Sequence, residues 1–308
     1  MTNWRCRWLR AFLGLIFYWS LQAAGPAAGA LQAQESAPAV AEALPAAIRH
    51  SLNVVLPEPA PVRATADAQD PTQITAPVPG STRREVTWRR LPANVLHDQK
   101  DIWLFPVHLA HGRHWLPTAA VVGVTAGLLT LDAHDVPYFR RTNSFSGFNS
   151  GFSGPITAME IALVPAAIYG IGLVRKDSYA QETALLSGEA VVDSGILAIV
   201  MKDVSRRLRP SDIAPRGDFS GTFFRSPTTI IGRGSAFPSG HAILAFSVAT
   251  VIARRHGRNH RWVPWVAYGT AAAIGFSRIT LQSHFLSDVF LGAALGYSVA
   301  RFDVLRNR

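Results

Sequence analysis

Between residues 116 and 300 the chain repeats one pattern: an apolar stretch of helical length, then a polar connection rich in Gly, Ser and Pro. The apolar stretches cover residues 116–131, 155–174, 181–201, 242–253, 262–276 and 285–300, and the longest connections are 143–154 and 215–237. None alternates apolar and polar positions over a useful length, so strands are not expected. The pattern predicts an all-α domain, a bundle of about six helices with its loops, and any chemistry they carry, at the helix ends. A spanning helix needs ~18 or more apolar residues with few charges. Glu160 interrupts one stretch, and Glu182, Glu189 and Asp193 interrupt another, which a soluble bundle accommodates. Membrane bundles also carry carboxylates where these face a functional cavity. Both readings stay open from the sequence, membrane association being the one expected.

The N-terminal third follows a different pattern. Arg5, Arg7 and Arg10 precede a short apolar core over residues 11–24, and Ala28-Gly29-Ala30 offers a cleavage site. Residues 1–30 therefore read as a signal peptide, with an uncleaved anchor as the alternative. Residues 31–93 are rich in Ala and Pro, as in 57–61, and are expected to be a flexible, disordered segment ahead of a helical domain at 94–308. The single cysteine, Cys6, lies in the signal segment, so a cleaved chain has neither disulfide nor thiolate chemistry. The formal charge of +10 suits an anionic membrane surface or a phosphorylated substrate. No nucleic-acid-binding motif accompanies it, and no protein partner is legible. An exported protein on the periplasmic side, membrane-associated or soluble, is expected.

Three clusters carry candidate chemistry. Lys202 and Arg209, followed by Pro210, are seven residues apart, which on a continuous helix places both cations on one face. Such a pair suits a tetrahedral oxyanion, although a solvated basic helix end reads the same way, and Arg206 and Arg207 lie between them. In the second cluster Ser239 is a natural helix N-cap. Gly240 permits close backbone approach, and His241 is placed to give a proton to a leaving oxygen. The third comprises Arg278, His284 and Asp288. The four-residue step makes His284 and Asp288 neighbours on a helix face, and a break near Gln282 and Ser283 is needed to bring Arg278 to the same place.

In order and internal spacing the three clusters resemble the type-2 phosphatidic acid phosphatase and vanadium haloperoxidase superfamily. The resemblance covers residues 202–288 and, through the flanking helices, roughly 94 to the C-terminus. It implies a phosphoric monoester hydrolase that uses no metal and no cofactor, acting on a phosphorylated small molecule, a lipid phosphate or an isoprenoid diphosphate. It further implies that Lys202, Arg209 and Arg278 hold the phosphate oxygens, helped by Ser239 and the Gly240 amide. His284 would attack phosphorus and form a phosphohistidine, with Asp288 orienting it. His241 would protonate the leaving alkoxide and then activate water. A vanadate-dependent haloperoxidase and a non-catalytic anion-binding protein of the envelope are the alternatives.

His108, His111 and His114 have a spacing that could bind zinc, and His134 lies between Asp132 and Asp135. Aromatic neighbours and the lack of cysteine favour packing over a metal site. Residues 145–152, with Phe145, Phe148 and Phe152, read as a connecting loop that could cover the site or touch lipid.

Overall fold

The computed structural model describes residues 84–152, 154–214, 217–227, 231–232 and 234–306. The expected signal peptide at 1–30 and most of the segment 31–93 lie outside the described residues. The helices are α1 (Leu91–Ala110), α2 (Trp115–Arg141), α3 (Ser146–Ser150), α4 (Gly154–Val174), α5 (Ser178–Ser205), α6 (Gly240–His256), α7 (Val263–Thr280) and α8 (Leu286–Ser298). A 3-10 turn at Pro210–Asp212 and a π-helical end at Val299–Val304 complete them, and no strand occurs among the described residues.

Each of the six apolar stretches forms a helix, Trp262 and Phe285 standing as the N-caps just ahead of α7 and α8, and two helices were not anticipated. In α1 Pro106 and the polar run 97–101 hide the apolar face, and the residues it buries are the polar Asn94 and Asp98. In α3 one turn forms inside the 143–154 connection. Two helix starts follow side-chain capping chemistry. The Asp177 carboxylate accepts from the Tyr179 and Ala180 amides at 3.0 and 3.2 Å to open α5, and Ser239 caps α6.

Helix α6 is the axis of the bundle, packed by α5, α7 and α8. One core joins Ala245, Val248 and Ile252 of α6 to Ala267, Ala271 and Ile274 of α7. A second joins Ile243 and Val251 of α6 to Leu186 and Leu197 of α5 and Val299 beyond α8. Helices α6 and α8 touch almost backbone to backbone. A Cβ on Gly296 would lie 2.1 Å from the Ile243 carbonyl oxygen, and one on Gly292 would lie 2.7 Å from that of Ser239.

Three helical segments are long and apolar enough to cross a membrane: Trp115–Arg141, Thr157–Val174 and Ser178–Asp212. The apolar windows of the first two are only 11% and 22% buried, against 56% for the third. Leu116, Val122, Leu131, Met159 and Leu163 are thus exposed on α2 and α4. Exposure on this scale is an apolar belt, the surface that a bilayer covers.

Candidate active site

The three clusters converge at one end of the bundle, where α5 and α7 finish and α6 and α8 begin. Lys202 occupies the last turn of α5, and its Nζ donates to the Ser235 carbonyl at 2.9 Å. Arg206 then takes a left-handed conformation (φ 42°, ψ 40°) that ends the helix. Arg209 is therefore not on the helical face its spacing suggested. It follows in an extended stretch, capping the turn at Pro210–Asp212, with its amide donating to Asp212 Oδ2 at 3.2 Å. From α2, Arg140 donates to the Ile213 and Ala214 carbonyls at 3.1 Å each and pins this stretch. Arg209 Nε is buried with no hydrogen-bond partner among the described residues.

The second cluster sits beside the first. Ser239 is fully buried and accepts from the Ala242 amide at 3.5 Å, while its own amide donates to the Asp288 carbonyl at 3.0 Å. Gly240 opens α6, where a Cβ would lie 3.6 Å from Lys202 Cε. His241 is the second residue of the same helix and is partly exposed. Helix α7 ends at Thr280, and Gln282 has a positive φ of 57°, so the chain breaks where Arg278 required it. The amides of Ser283 and His284 both return to the Arg278 carbonyl, at 3.0 and 3.1 Å. The Arg278 side chain is buried, held by Ser277 Oγ at 3.0 Å and by the Phe152 carbonyl. The 145–152 connection is therefore a wall of the site. Asn149 further bonds Thr280 at 2.5 Å, and Phe145 and Phe148 pack on Phe276.

His284 and Asp288 do not share a helix face. Asp288 Oδ2 accepts from the Phe285 amide at 2.8 Å, which starts α8 after His284. The imidazole Nδ1 is 2.7 Å from the Ala236 carbonyl and 3.7 Å from Asp288 Oδ2. Nδ1 thus carries the proton and donates it to a backbone carbonyl, leaving the Nε2 lone pair unprotonated. Burial, reinforced by Lys202, Arg209 and Arg278, holds His284 well below the usual histidine range, so the ring is neutral at pH 7. Burial pushes Asp288 up to about 6 while Arg207 pulls against it, so this carboxyl is ionised at pH 7. A neutral imidazole with a free lone pair among three cations can attack an anionic electrophile and retain the product as an ion pair.

Two residues of this end were not read as site residues. Arg207, which with Arg206 fitted the reading of a solvated basic helix end, is 2% exposed and pairs with Asp132 and Asp288. Burial reverses that reading for Arg207: the guanidinium faces inward to two carboxylates, whereas Arg206 is exposed. The one hint in the sequence was Asp132 itself, a carboxylate directly after the apolar stretch 116–131.

Elsewhere, Asp98, Glu189 and Asp193 bring carboxylate oxygens within 4.8 Å of one another. Arg84 bonds Asp98 and lies 3.4 Å from Glu189, and Asp303, pushed up to about 7 by burial, Asp98 and Asp101, adds to the cluster. Glu189 and Asp193 precede Lys202 on α5 by roughly 20 and 14 Å at ~1.5 Å per residue, so this group lies apart from His284. His111 and His114 are exposed; His111 Nδ1 lies 2.7 Å from the Val107 carbonyl, and the His114 ring is 5.8 Å from that of Phe302.

Residues 183–305 match the PAP2 superfamily. Over 65 residues the chain is 38% identical to the lipid A 1-phosphatase of Porphyromonas gingivalis, covering 21% of this chain and 15% of that protein's length. Among solved structures, a transmembrane PAP2-type phosphatidylglycerolphosphate phosphatase from Bacillus subtilis aligns with a TM-score of 0.38 and 20% identity, over 66% of this chain and 92% of its own. The segment that matches the PAP2 superfamily carries every candidate residue from Lys202 to Asp288.

Proposed function

We propose that the protein is a phosphatase that hydrolyses a phosphate ester through a phosphohistidine on His284. The observation that supports this most directly is the state of His284: buried, neutral, with Nδ1 given to Ala236 and with Lys202, Arg209 and Arg278 around it. In this reading Nε2 attacks phosphorus as the ester oxygen leaves, and His241 protonates that oxygen. His241 then takes a proton from water, which displaces the phosphoryl group from Nε2 and regenerates the ring. The three cations and the start of α6 stabilise the five-coordinate phosphorus, a task metals perform in other phosphoryl-transfer sites. The imidazolium character that develops on His284 is balanced by Asp288.

The substrate class that fits is a lipid phosphate. The name of the Porphyromonas relative points the same way, and the site opens at the end of a bundle whose α2 and α4 expose an apolar belt. We place that end on the outer face of the inner membrane, in keeping with the signal-like residues 1–30. The test is phosphate release by purified protein from a panel of lipid and soluble phosphates, with and without detergent and in excess EDTA. Release from lipid phosphates that withstands EDTA and is blocked by vanadate is expected. Loss of all turnover in EDTA, restored by magnesium or zinc, would overturn the metal-independent mechanism.

A further inference from the structure

Asp288 and the Ala236 carbonyl are the two groups that set the orientation and proton position of His284, and both are held by one residue. Arg207 Nη1 donates to Asp288 Oδ1 at 2.5 Å, leaving Oδ2 turned toward the imidazole and the Phe285 amide. The Arg207 carbonyl accepts from the Ala236 amide at 2.8 Å, and the carbonyl of that same Ala236 takes the His284 proton. Arg207 in turn is fixed from α2: Nη2 donates to Asp132 Oδ2 at 2.7 Å. Asp132 also takes the Ser287 hydroxyl at 2.5 Å and the Ser287 amide at 3.2 Å, tying itself to the start of α8. Two further donors of Arg207 meet Ser287 Oγ at 2.8 Å and Thr222 Oγ1 at 3.0 Å. The guanidinium also lies 4.0 Å from the Phe285 ring and 4.8 Å from that of Phe223, which exclude water.

We propose that Arg207 and Asp132 are positioning residues of the phosphoryl-transfer reaction, acting on His284 through Asp288 and Ala236. The inference rests on the phosphatase reading. A buried array of this kind is a poor device for stability alone, because desolvating three charges offsets most of their attraction and apolar side chains of similar volume would serve as well. It is a good device for holding a carboxylate ionised and an imidazole in one tautomer where water cannot do either. Asp132 lies outside residues 183–305, so the matched segment does not contain the whole site. Its place on α2 ties an exposed, apolar helix directly to the reacting end.

The charges that face Asp288 are Arg207, Lys202 and His284, with Asp132 across the guanidinium and Arg209 and Arg278 beyond the imidazole. Neutralising Arg207 therefore raises the pH at which Asp288 takes up a proton. Neutralising Asp132 lowers it, since the full charge of Arg207 then falls on Asp288. The experiment compares pH–rate profiles of the parent, Arg207→Gln and Asp132→Asn with one phosphate ester, alongside thermal unfolding of each. Both variants are expected to lose activity on the order of 100-fold, as for a misplaced catalytic group. The acid limb should move to higher pH in Arg207→Gln and to lower pH in Asp132→Asn, and the double variant should lose less than the product of the two. Activity within twofold of the parent, or losses with acid limbs that stay in place, would overturn the proposal. So would failure of both variants to fold, which would make the array structural. A parent that releases no phosphate from any ester rejects the phosphatase reading, and this inference with it. A parent active through His284 with unmoved variants rejects the array alone.

Discussion

In the proposed reaction two opposing requirements meet at His284, a lone pair that is free at neutral pH and a place to put positive charge once phosphorus is bound. Burial and three cations meet the first and Asp288 the second. Substituting His284→Ala should abolish turnover, because no other group offers a lone pair at that point. His241→Ala should still form the phosphoenzyme from an aryl phosphate, whose leaving group needs little proton donation. Rapid-quench labelling separates the two; an acid-labile label that persists in His284→Ala would mean that another residue is the nucleophile. The pH profile follows from Asp288. Its folded value, about 6, lies above the ordinary carboxylate value, so it is ionised above pH 6 and takes a proton as pH falls through that value. The predicted acid limb of kcat/KM therefore lies near pH 6, with about tenfold lost per unit below it. The stability term has the opposite sign. A raised carboxyl contributes most below its unfolded value, ~3.9, and that contribution is lost as pH rises through about 6. An acid limb below pH 5 would show that Arg207 outweighs burial.

At the scale of elements, the position of Ser239 and Gly240 depends on how closely α8 approaches α6. Gly292 and Gly296 permit that approach, and the Ser239 amide bonds the Asp288 carbonyl across it. Gly296→Ala should lower stability by about 1–3 kcal/mol, the usual cost of overpacking, and lower activity as the two helix starts separate. Gly188→Ala in α5, where a Cβ meets nothing within 4 Å, is the control and should be neutral or slightly stabilising. Equal unfolding midpoints for the two variants would show that α8 can shift without cost. The helix ends also explain why sequence spacing misled in detail. Lys202 and Arg209, and likewise His284 and Asp288, were read as helical pairs. Each pair instead straddles a helix end, set by the left-handed Arg206 in one case and by the Asp288 cap in the other. Periodicity reports that residues can be near one another, whereas capping decides where the helix stops.

For the whole molecule, the apolar exteriors of α2 and α4 are the most consequential surface. Trp115–Arg141 is 27 residues long, about 40 Å at 1.5 Å per residue, enough for a hydrocarbon core of about 30 Å with turns to spare. The protein is expected to stay with the membrane after a carbonate wash and to leave it in detergent. A protein found wholly in the wash would require another partner for this belt. A reporter active only outside the cytoplasm, fused after Lys100, should be active; an inactive one would refute export.

The sequence by itself determined the helical class, the six apolar helices and the order and spacing of the residues from Lys202 to Asp288, because periodicity and motif spacing are local properties. It also required the break between Arg278 and His284, since six residues on a continuous helix would separate them. Only the tertiary structure decided how the site is wired. Arg207 meets Asp132 and Asp288 across 75 and 81 residues of chain, and the Ala236 carbonyl that sets the His284 proton comes from a connection with no motif of its own. A backbone acceptor has no sequence signature. Nor does a buried arginine, whose neighbours Arg206 and Arg209 look the same in sequence; which of the three turns inward depends on where α5 ends and on which carboxylates α2 and α8 bring to meet it.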